Sequence, residues 1–390
     1  LAPGEVQPVW VTVHVPAGTP AGIYRGTLSI STEAGGRKEI PVRLRVWSFD
    51  LPPVPSLKTL TWVGGLPDDT GFQNGRPLSY QKKLAMYDLL LSHRLGPGGN
   101  LELIDEEIGY CRERGMNVFL LAVIPNLKRT HQEDYSTEYK EQLARKLKSA
   151  VEKFGPRGWL ESMAYVYNYD EVDREHWPLA RQMYGLVKSV SSELKVIQCL
   201  NIPEGVRAMA GFADTWDVYI AQYEKTGVEE RVAQGDEAWL AVCCYPVDRP
   251  NFFLEYPAID GRLIGWICWR TGVSGFEYWS PNHWGENRES PQLRSNWIAN
   301  TFLDYNGDGY LTYPGPEGSF LSSVRLENLR DGFEDYEYLK LLERLGGDPQ
   351  AAGLVAASTT EFTSDPELLS RVREEIAVQI EKLSGSDKVR

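Results

Sequence analysis

Hydrophobic and polar positions alternate with a period of two through the first 50 residues of the chain. The alternation predicts strands at Val9–Val15, Tyr24–Ile30 and Ile40–Phe49, separated by turns that contain Gly and Pro. Short strands joined by such turns are typical of a β-sandwich. Because about fifty residues bury too little apolar surface to be stable alone, we expect residues 1–50 to be a partial sandwich-like domain that packs on the rest of the chain.

The pattern changes after a proline-rich linker at residues 51–55, and strands then alternate with helices. The predicted strands are Leu57–Trp62, a short one near Leu95, Asn117–Ile124, Met163–Asn168, Val196–Asn201, Trp216–Gln222, Ala238–Tyr245 and Gly275–Trp279. The predicted helices are Tyr80–Arg94, Leu101–Arg114, Glu138–Phe154, Leu179–Leu194, Glu204–Phe212, a short one near Glu229, Arg325–Leu345 and Pro366–Leu383. Eight strands alternating with helices predict a (β/α)8 TIM-type barrel over residues 56–346. Residues 347–390 are then a C-terminal helical extension.

The fourth predicted barrel strand ends in two adjacent carboxylates, Asp170 and Glu171. Tyr and Val favour a strand and Asp does not, so the strand should stop near Asn168. Since consecutive side chains on a strand point to opposite faces, two neighbours can share a pocket only if the backbone turns there. The carboxyl ends of barrel strands form the active-site face. The pair is therefore a candidate acid site, although a solvated loop cap is an equally good interpretation of the spacing alone.

The other predicted strand ends carry planar rings and hydrogen-bonding groups and almost no lysine. A sugar needs flat apolar surfaces for its C–H faces and directional partners for its hydroxyls, whereas a phosphate needs Arg, Lys or glycine-rich loops. For each aromatic residue alone core packing is the better interpretation, but together they favour a carbohydrate cleft. The candidate substrate-binding residues at these ends are Trp62, Asn168, Tyr223, Tyr245, Tyr278, Trp279, Asn282 and Trp284.

Composition narrows the classes of partner. The formal net charge of −13 argues against a nucleic-acid or anionic-membrane partner. Five cysteines without framework or metal-ligand spacing predict reduced thiols, and five scattered histidines give no zinc site. We therefore expect a glycan or glycoconjugate substrate, no cofactor and no metal. No signal peptide or membrane span is visible, which weakly favours a cytoplasmic location while leaving localisation and oligomeric state open.

The distribution of acids suggests a mechanism. Most retaining glycosidases need a second carboxylate about 5 Å from the acid as nucleophile. The predicted seventh strand has none at its end, and Asp248, Glu255 and Glu277 are less clearly placed substitutes. An adjacent pair suits a substrate whose own 2-acetamido oxygen is the nucleophile, an exception to the two-carboxylate rule. One acid then polarises the amide and the other protonates the leaving oxygen.

The chain resembles glycoside hydrolase family 123 over nearly its whole length. The similar motifs are Glu5–Pro8, Gly22–Gly26, Tyr165–Glu171, Trp239–Pro246, Asp260–Arg262 with Trp266, Gly275–Trp279, Gly307–Gly315 and Arg325–Tyr338. The resemblance implies a β-sandwich with a (β/α)8 barrel, acting as a substrate-assisted exo-β-N-acetylgalactosaminidase. It implies Asp170 as stabiliser of the oxazolinium intermediate and Glu171 as acid/base. Arg262 and Trp266, from the same motifs, complete the candidate substrate-binding set, although Arg262 could instead brace a loop.

The residues leave two other functions open. A conventional two-carboxylate glycosidase could act on a sugar without the acetamido group, with Glu171 as acid. A non-catalytic sugar-binding relative is also compatible with the motifs.

Residues Asp304–Gly309 begin like a calcium loop, but position twelve is Gly315 rather than Glu, which favours a tight turn. The choice between galacto and gluco sugars is not predicted.

Overall fold

The computed structural model describes residues 4–6, 9–32, 35–64, 80–130, 134–244, 248–284, 300–302, 305–316 and 319–386. Its strands are β1 (Gly22–Ser31), β2 (Arg37–Val46), β3 (Lys58–Thr61), β4 (Phe119–Val123), β5 (Ala164–Tyr167), β6 (Lys195–Leu200), β7 (Thr215–Tyr219), β8 (Glu237–Val242), β9 (Gly275–Tyr278), β10 (Asn300–Phe302), β11 (Tyr305–Asn306), β12 (Tyr313–Pro314) and β13 (Phe320–Leu321). Its α-helices are α1 (Tyr80–Ser92), α2 (Asp105–Glu113), α3 (Leu127–Thr130), α4 (Thr137–Phe154), α5 (Trp159–Ser162), α6 (Trp177–Val190), α7 (Gly205–Ala208), α8 (Tyr223–Thr226), α9 (Val228–Val232), α10 (Ile259–Thr271), α11 (Val324–Arg344) and α12 (Pro366–Ser386).

Strands β3 to β9 form one parallel sheet in the order β3-β9-β8-β7-β6-β5-β4. The last strand pairs with the first, so the sheet curls into a nearly closed barrel. Helices lie in the connections between the strands, as parallel crossovers require. The predicted (β/α)8 TIM-type barrel is therefore confirmed.

The eighth position of the barrel is taken by a segment that is not a strand. The backbone N–H of Thr61 donates to Gly96 O (2.9 Å), and a side chain at Gly98 would collide with the carbonyl of Val118. The segment thus lies between β3 and β4, where the second strand was predicted near Leu95. That strand prediction was wrong because Pro97 has no N–H for a ladder and the neighbouring glycines favour a turn.

The barrel has an apolar layer on each side of its wall. The inner cluster is Leu60, Val118, Leu120, Tyr165, Tyr167, Ile197, Cys199, Tyr219, Trp239, Ala241 and Cys243. A larger cluster fills the space between the strands and the helices. At the amino-terminal end of the barrel, Glu237 accepts from Lys58 and Lys195 at 2.7 Å each. These ion pairs fill the amino-terminal end of the barrel, so space for a cavity remains at the opposite end.

The outer helices are tied together by one buried carboxylate. Asp335 on α11 accepts from Arg262 and Trp266 on α10 (2.6 and 2.9 Å) and from Arg373 on α12 (2.5 Å). Helices α10 and α11 approach closely because Gly265 packs against the backbone of Gly332.

No helix within the described parts of the chain is long and apolar enough to cross a membrane.

The amino-terminal part of the chain forms an antiparallel hairpin of β1 and β2. Its Arg45 pairs with Glu374 and Glu381 on α12 at 3.3 and 3.0 Å. The predicted strand at Val9–Val15 was wrong, since these residues form no ladder and are exposed. Alternation alone does not make a strand unless a neighbouring strand supplies hydrogen bonds.

Candidate active site

The chain turns sharply just after β5, where the two candidate acids lie. The strand ends at Tyr167, so the prediction that it stops near Asn168 is confirmed. Glu171 has φ +48°, in the left-handed region that residues other than glycine rarely adopt. Such a conformation costs roughly 1–3 kcal/mol and is concentrated at functional sites. The strained turn gives Asp170 and Glu171 a common face, which a regular strand would forbid.

Both acids line one cavity of about 670 Å³ at the carboxyl ends of the strands. This volume lies in the usual range for small-molecule sites, roughly 300–1,000 Å³. The described lining residues are Trp62, Val123, Ile124, Pro125, Asn126, Tyr167, Asp170, Glu171, Cys199, Tyr219, Cys243, Cys244, Glu277 and Trp279. None of these is Lys, Arg or His, so the described wall is apolar, aromatic and acidic.

Hydrogen bonds hold each acid in place. The Tyr219 hydroxyl donates to Glu171 Oε1 at 2.8 Å, and the Tyr167 hydroxyl donates to Asp170 Oδ1 at 3.3 Å. Asn126 Nδ2 donates to the Asp170 carbonyl at 2.9 Å, which fixes the backbone of the turn. Two inward-facing tyrosines, one on β5 and one on β7, therefore orient two consecutive carboxylates.

Two further carboxyl groups lie beneath the pair. Asp217 on β7 and Glu277 on β9 are buried, and Glu277 lines the cavity. Burial, and next the charge of Asp170, raises the pKa of Asp217 to about 7. Burial has the largest effect on Glu277, and the charges of Asp217, Asp170 and Glu171 act in the same direction. Together they raise the pKa of Glu277 well above its ordinary range. These surroundings therefore favour the protonated form of Glu277.

Two tryptophans form aromatic walls of the cavity. Trp62 packs edge-on against Tyr167 with ring centroids 5.1 Å apart. Trp279 Nε1 donates to Asp308 Oδ1 at 3.1 Å, which ties the indole to the turn at residues 307–309. This turn has positive φ at both of its glycines and Asp308 is buried, so the described residues support the tight-turn interpretation; Asp304 lies outside them.

Four predicted substrate-binding residues lie away from the cavity. Asn168 donates to Ala180 O behind the strand, and the Tyr223 hydroxyl donates to Thr271 O. Arg262 and Trp266 are both bound to Asp335 between the outer helices. These four side chains therefore brace the fold, and their geometry gives no support to a sugar contact.

Three of the predicted substrate-binding residues at and after the end of β9 also lie away from the cavity. Tyr278 is buried and donates to Asp308, while Asn282 Oδ1 accepts from the backbone of Gly64 at 3.0 Å. Trp284 donates to Thr312 O and is 7% exposed. All three support the loops around the cavity without lining it. Tyr245 lies outside the described residues. Of the predicted set, Trp62, Trp279, Asp170 and Glu171 reach the cavity.

The sequence analysis missed the residues inside the barrel. Tyr167, Asp217 and Tyr219 were not proposed for the site, and Glu277 was named only as a substitute nucleophile. A usable signal was present, because Asp217 is an acid within the apolar strand Thr215–Tyr219 and must be buried at a functional or paired position. Its alternation with Tyr219 places both on the inner face.

No group of three or more metal-ligating side chains occurs among the described residues.

Comparison with known families agrees with this architecture. Residues 124–342, more than half of the chain, match the glycoside hydrolase 123 catalytic domain, and residues 1–32 match the glycoside hydrolase 123 N-terminal domain. The chain belongs to glycoside hydrolase family 123. The resemblance predicted from its motifs is thereby confirmed, and the matched catalytic domain contains Asp170, Glu171, Asp217 and Glu277. No curated protein matches this family 123 chain significantly.

Several solved glycosidases are similar in structure to this family 123 chain. A β-D-glucuronidase from Dictyoglomus thermophilum is 10% identical with a TM-score of 0.45, over 80% of this chain and 57% of that one. A family 2 β-galacturonidase from Eisenbergiella tayi is 13% identical with a TM-score of 0.43, over 80% and 58%. A family 39 glycoside hydrolase from Bacteroides cellulosilyticus WH2 is 14% identical with a TM-score of 0.40, over 80% and 71%. Two further similar glycosidase structures are covered over 42% and 34% of their lengths, so the chain spans only part of most of these proteins.

Proposed function

We propose that the protein is a retaining glycoside hydrolase that releases terminal β-linked N-acetylgalactosamine by substrate-assisted catalysis. The observation that carries the proposal is the strained turn at Glu171, which aims two adjacent carboxylates into one aromatic cavity. Adjacent acids suit a reaction whose nucleophile comes from the substrate, because one can serve the acetamido group while the other serves the glycosidic oxygen.

Asp170 and Glu171 have different roles in this reaction. Asp170 accepts the acetamide N–H, so that the acetamide oxygen attacks the anomeric carbon as the bond to the leaving oxygen breaks. Glu171 gives its proton to that oxygen, and Asp170 stabilises the positive charge of the oxazolinium ring. Glu171 then takes a proton from water as the water opens the ring, with retention at the anomeric carbon. Tyr167 and Tyr219 are positioning residues, since each holds one of these carboxylates.

The charge of the cavity supports an uncharged sugar. Its described wall has three carboxyl groups from Asp170, Glu171 and Glu277 and no basic side chain. A uronic acid or sulfated sugar would place an anion beside these groups in a site of low dielectric, which is unfavourable. An N-acetylhexosamine is neutral and presents an amide N–H to Asp170. The preference for the galacto configuration rests on the family resemblance alone.

A second candidate is a conventional glycosidase with Glu277 as nucleophile. The observation that favours it is that Glu277 and Glu171 line the same cavity. The opposing argument is electrostatic. A carboxylate nucleophile must be ionised, whereas burial and the neighbouring acids raise the pKa of Glu277 well above its ordinary range. We therefore favour substrate assistance.

Paired aryl glycosides test the proposal. The wild type should hydrolyse aryl β-N-acetylgalactosaminide and not the aryl β-galactoside that lacks the acetamido group. An oxazoline-mimicking thiazoline should inhibit competitively. Asp170→Asn should lower kcat on every leaving group, and Glu171→Gln should lose activity mainly on poor leaving groups because they need protonation most.

The outcomes separate the candidate functions. Hydrolysis of the plain galactoside without thiazoline inhibition would favour the conventional mechanism. Binding of sugars without turnover of either substrate would indicate a non-catalytic relative. Full activity of Glu171→Gln on a natural disaccharide would overturn the acid assignment.

A further inference from the structure

Two adjacent cysteines at the end of β8 form part of the cavity wall. Cys243 is buried, Cys244 is half-buried, and both line the same cavity as Glu171. Their sulfur atoms are 3.5 Å apart, and neither thiol is in a disulfide. The pair therefore places two thiols side by side at a surface that a small solute entering the cavity can reach.

The two thiols are chemically unequal. The hydrogen bond from Cys243 lowers the pKa of Cys244, while burial and the nearby acids oppose this with smaller effect. The same hydrogen bond, followed by burial, raises the pKa of Cys243. Because the thiolate is the nucleophile and Cys244 is also the more exposed of the two, Cys244 is the sulfur that a solute in the cavity meets first, and Cys243 is its neighbouring thiol. Cys199 also lines the cavity, but burial raises its pKa well above the ordinary value, so it stays a thiol.

A short chain of contacts connects the pair to the acid. Cys243 Sγ lies 3.7 Å from the Tyr219 hydroxyl, and that hydroxyl donates to Glu171 Oε1 at 2.8 Å. A change in the position of the Cys243 sulfur therefore alters the surroundings of the tyrosine that orients Glu171.

We propose that Cys243 and Cys244 form a modification site for small hydroperoxides, at which oxidation closes a disulfide between the adjacent residues and lowers catalysis. The Cys244 thiolate attacks the terminal peroxide oxygen, the O–O bond breaks, and a sulfenic acid forms as hydroxide or alkoxide leaves. The Cys243 thiol then attacks the sulfenic sulfur and water leaves. With hydrogen peroxide the balance is two thiols and one peroxide to one disulfide and two waters.

The disulfide should be readily reversible. Consecutive Cα atoms are about 3.8 Å apart, whereas disulfides usually join Cα atoms about 4.4–6.8 Å apart. A bond between neighbours is therefore strained, and strained disulfides have the higher reduction potentials of labile ones. This distinguishes the site from a permanent structural crosslink.

The test uses hydrogen peroxide on the whole chain. We expect a brief, mild treatment to lower the number of titratable thiols of the denatured protein from five to three, with peptide mapping locating the crosslink at residues 243–244. Activity on the best aryl glycoside should fall in parallel and return after dithiothreitol. The Cys244→Ser variant should keep its own untreated activity under the same treatment. The Cys243→Ser variant should accumulate a sulfenic acid that dimedone traps.

A matched control removes a thiol elsewhere. Cys268→Ala in the buried helix α10 should respond to peroxide as the wild type does, with one thiol fewer at the start. Loss of thiols at other positions, no loss at all, or an unchanged response in Cys244→Ser would overturn the proposal. Thiol counting and mapping need no substrate, so a wrong assignment of the sugar leaves this test intact, and a failure here leaves the proposed glycosidase function standing.

Discussion

Replacing Asp217 by Asn gives a stability change whose sign and pH dependence follow from the structure. The carboxyl group is fully buried and carries one unpartnered oxygen. Its ordinary pKa of 3.8 rises to about 7 in the folded chain, because of burial first and the charge of Asp170 second. Between these two pH values the folded chain binds one proton more than the unfolded chain, so the free energy of unfolding falls as the pH rises.

The magnitude follows from the size of the pKa change. A rise of the pKa from 3.8 to about 7 corresponds to up to about 4 kcal/mol of free energy of unfolding. The wild type has this stability at low pH and has lost all of it above pH 7. Asn has a similar shape and does not titrate. We therefore expect Asp217→Asn to change stability by less than about 1 kcal/mol at pH 4 and to increase it by up to about 4 kcal/mol at pH 8.

Urea unfolding followed by tryptophan fluorescence at pH 4, 6 and 8 measures this difference. Glu237→Gln is the matched control inside the same barrel. Burial raises the pKa of Glu237, but Lys58 and Lys195 outweigh it and lower the pKa to about 2. That stabilisation is present above pH 4.5 and is lost as the pH falls through about 2, so Glu237→Gln should destabilise by roughly 3 kcal/mol at pH 8 and nearly as much at pH 4. A pH-independent effect of Asp217→Asn, or a loss of stability at pH 8, would refute the reasoning.

Three further substitutions probe the site and its frame. Glu277→Gln should keep kcat/KM within a few-fold on aryl N-acetylgalactosaminide, because the substrate-assisted reaction needs no negative charge on Glu277, and a collapse of activity would reveal a nucleophile. Tyr219→Phe should lower kcat about 10- to 100-fold by removing a hydrogen bond to Glu171 worth roughly 1.5–3 kcal/mol, with circular dichroism unchanged. Asp335→Asn should lower the free energy of unfolding by roughly 3–5 kcal/mol, measured by thermal unfolding, since it leaves Arg262 poorly paired in a buried network. A loss of kcat/KM at a temperature where the variant is still folded would contradict a purely structural role for Asp335.

The barrel could be predicted because its signals are local and repeated. Apolar runs such as residues 119–122 of β4 are buried on both faces and have the length of strands. The end of β5 could also be predicted, since Asp170 disfavours a strand. The segment at Leu95 could not, because its place in the barrel depends on hydrogen bonds from Thr61, far away in the sequence.

The same limit explains the candidate site. Asp170 and Glu171 were found because they are adjacent and follow a strand. Arg262 was proposed for the substrate because its partner Asp335 lies 73 residues later on another helix and gives no local signal. The sequence places Tyr219 on the same face of its strand as the acid Asp217, but the strand bounds in the structure were needed to show that this face points into the barrel.

The most direct test of the central claim is a series of aryl N-acetylgalactosaminides whose acetamido methyl group carries zero, one, two or three fluorine atoms. Fluorine withdraws electrons from the amide oxygen, so its nucleophilicity falls at each step while the size of the group changes little. If the acetamide attacks the anomeric carbon with Asp170 and Glu171 assisting, kcat/KM should fall steeply and steadily along the series. A flat series would contradict the account, because it would mean that the nucleophile belongs to the protein.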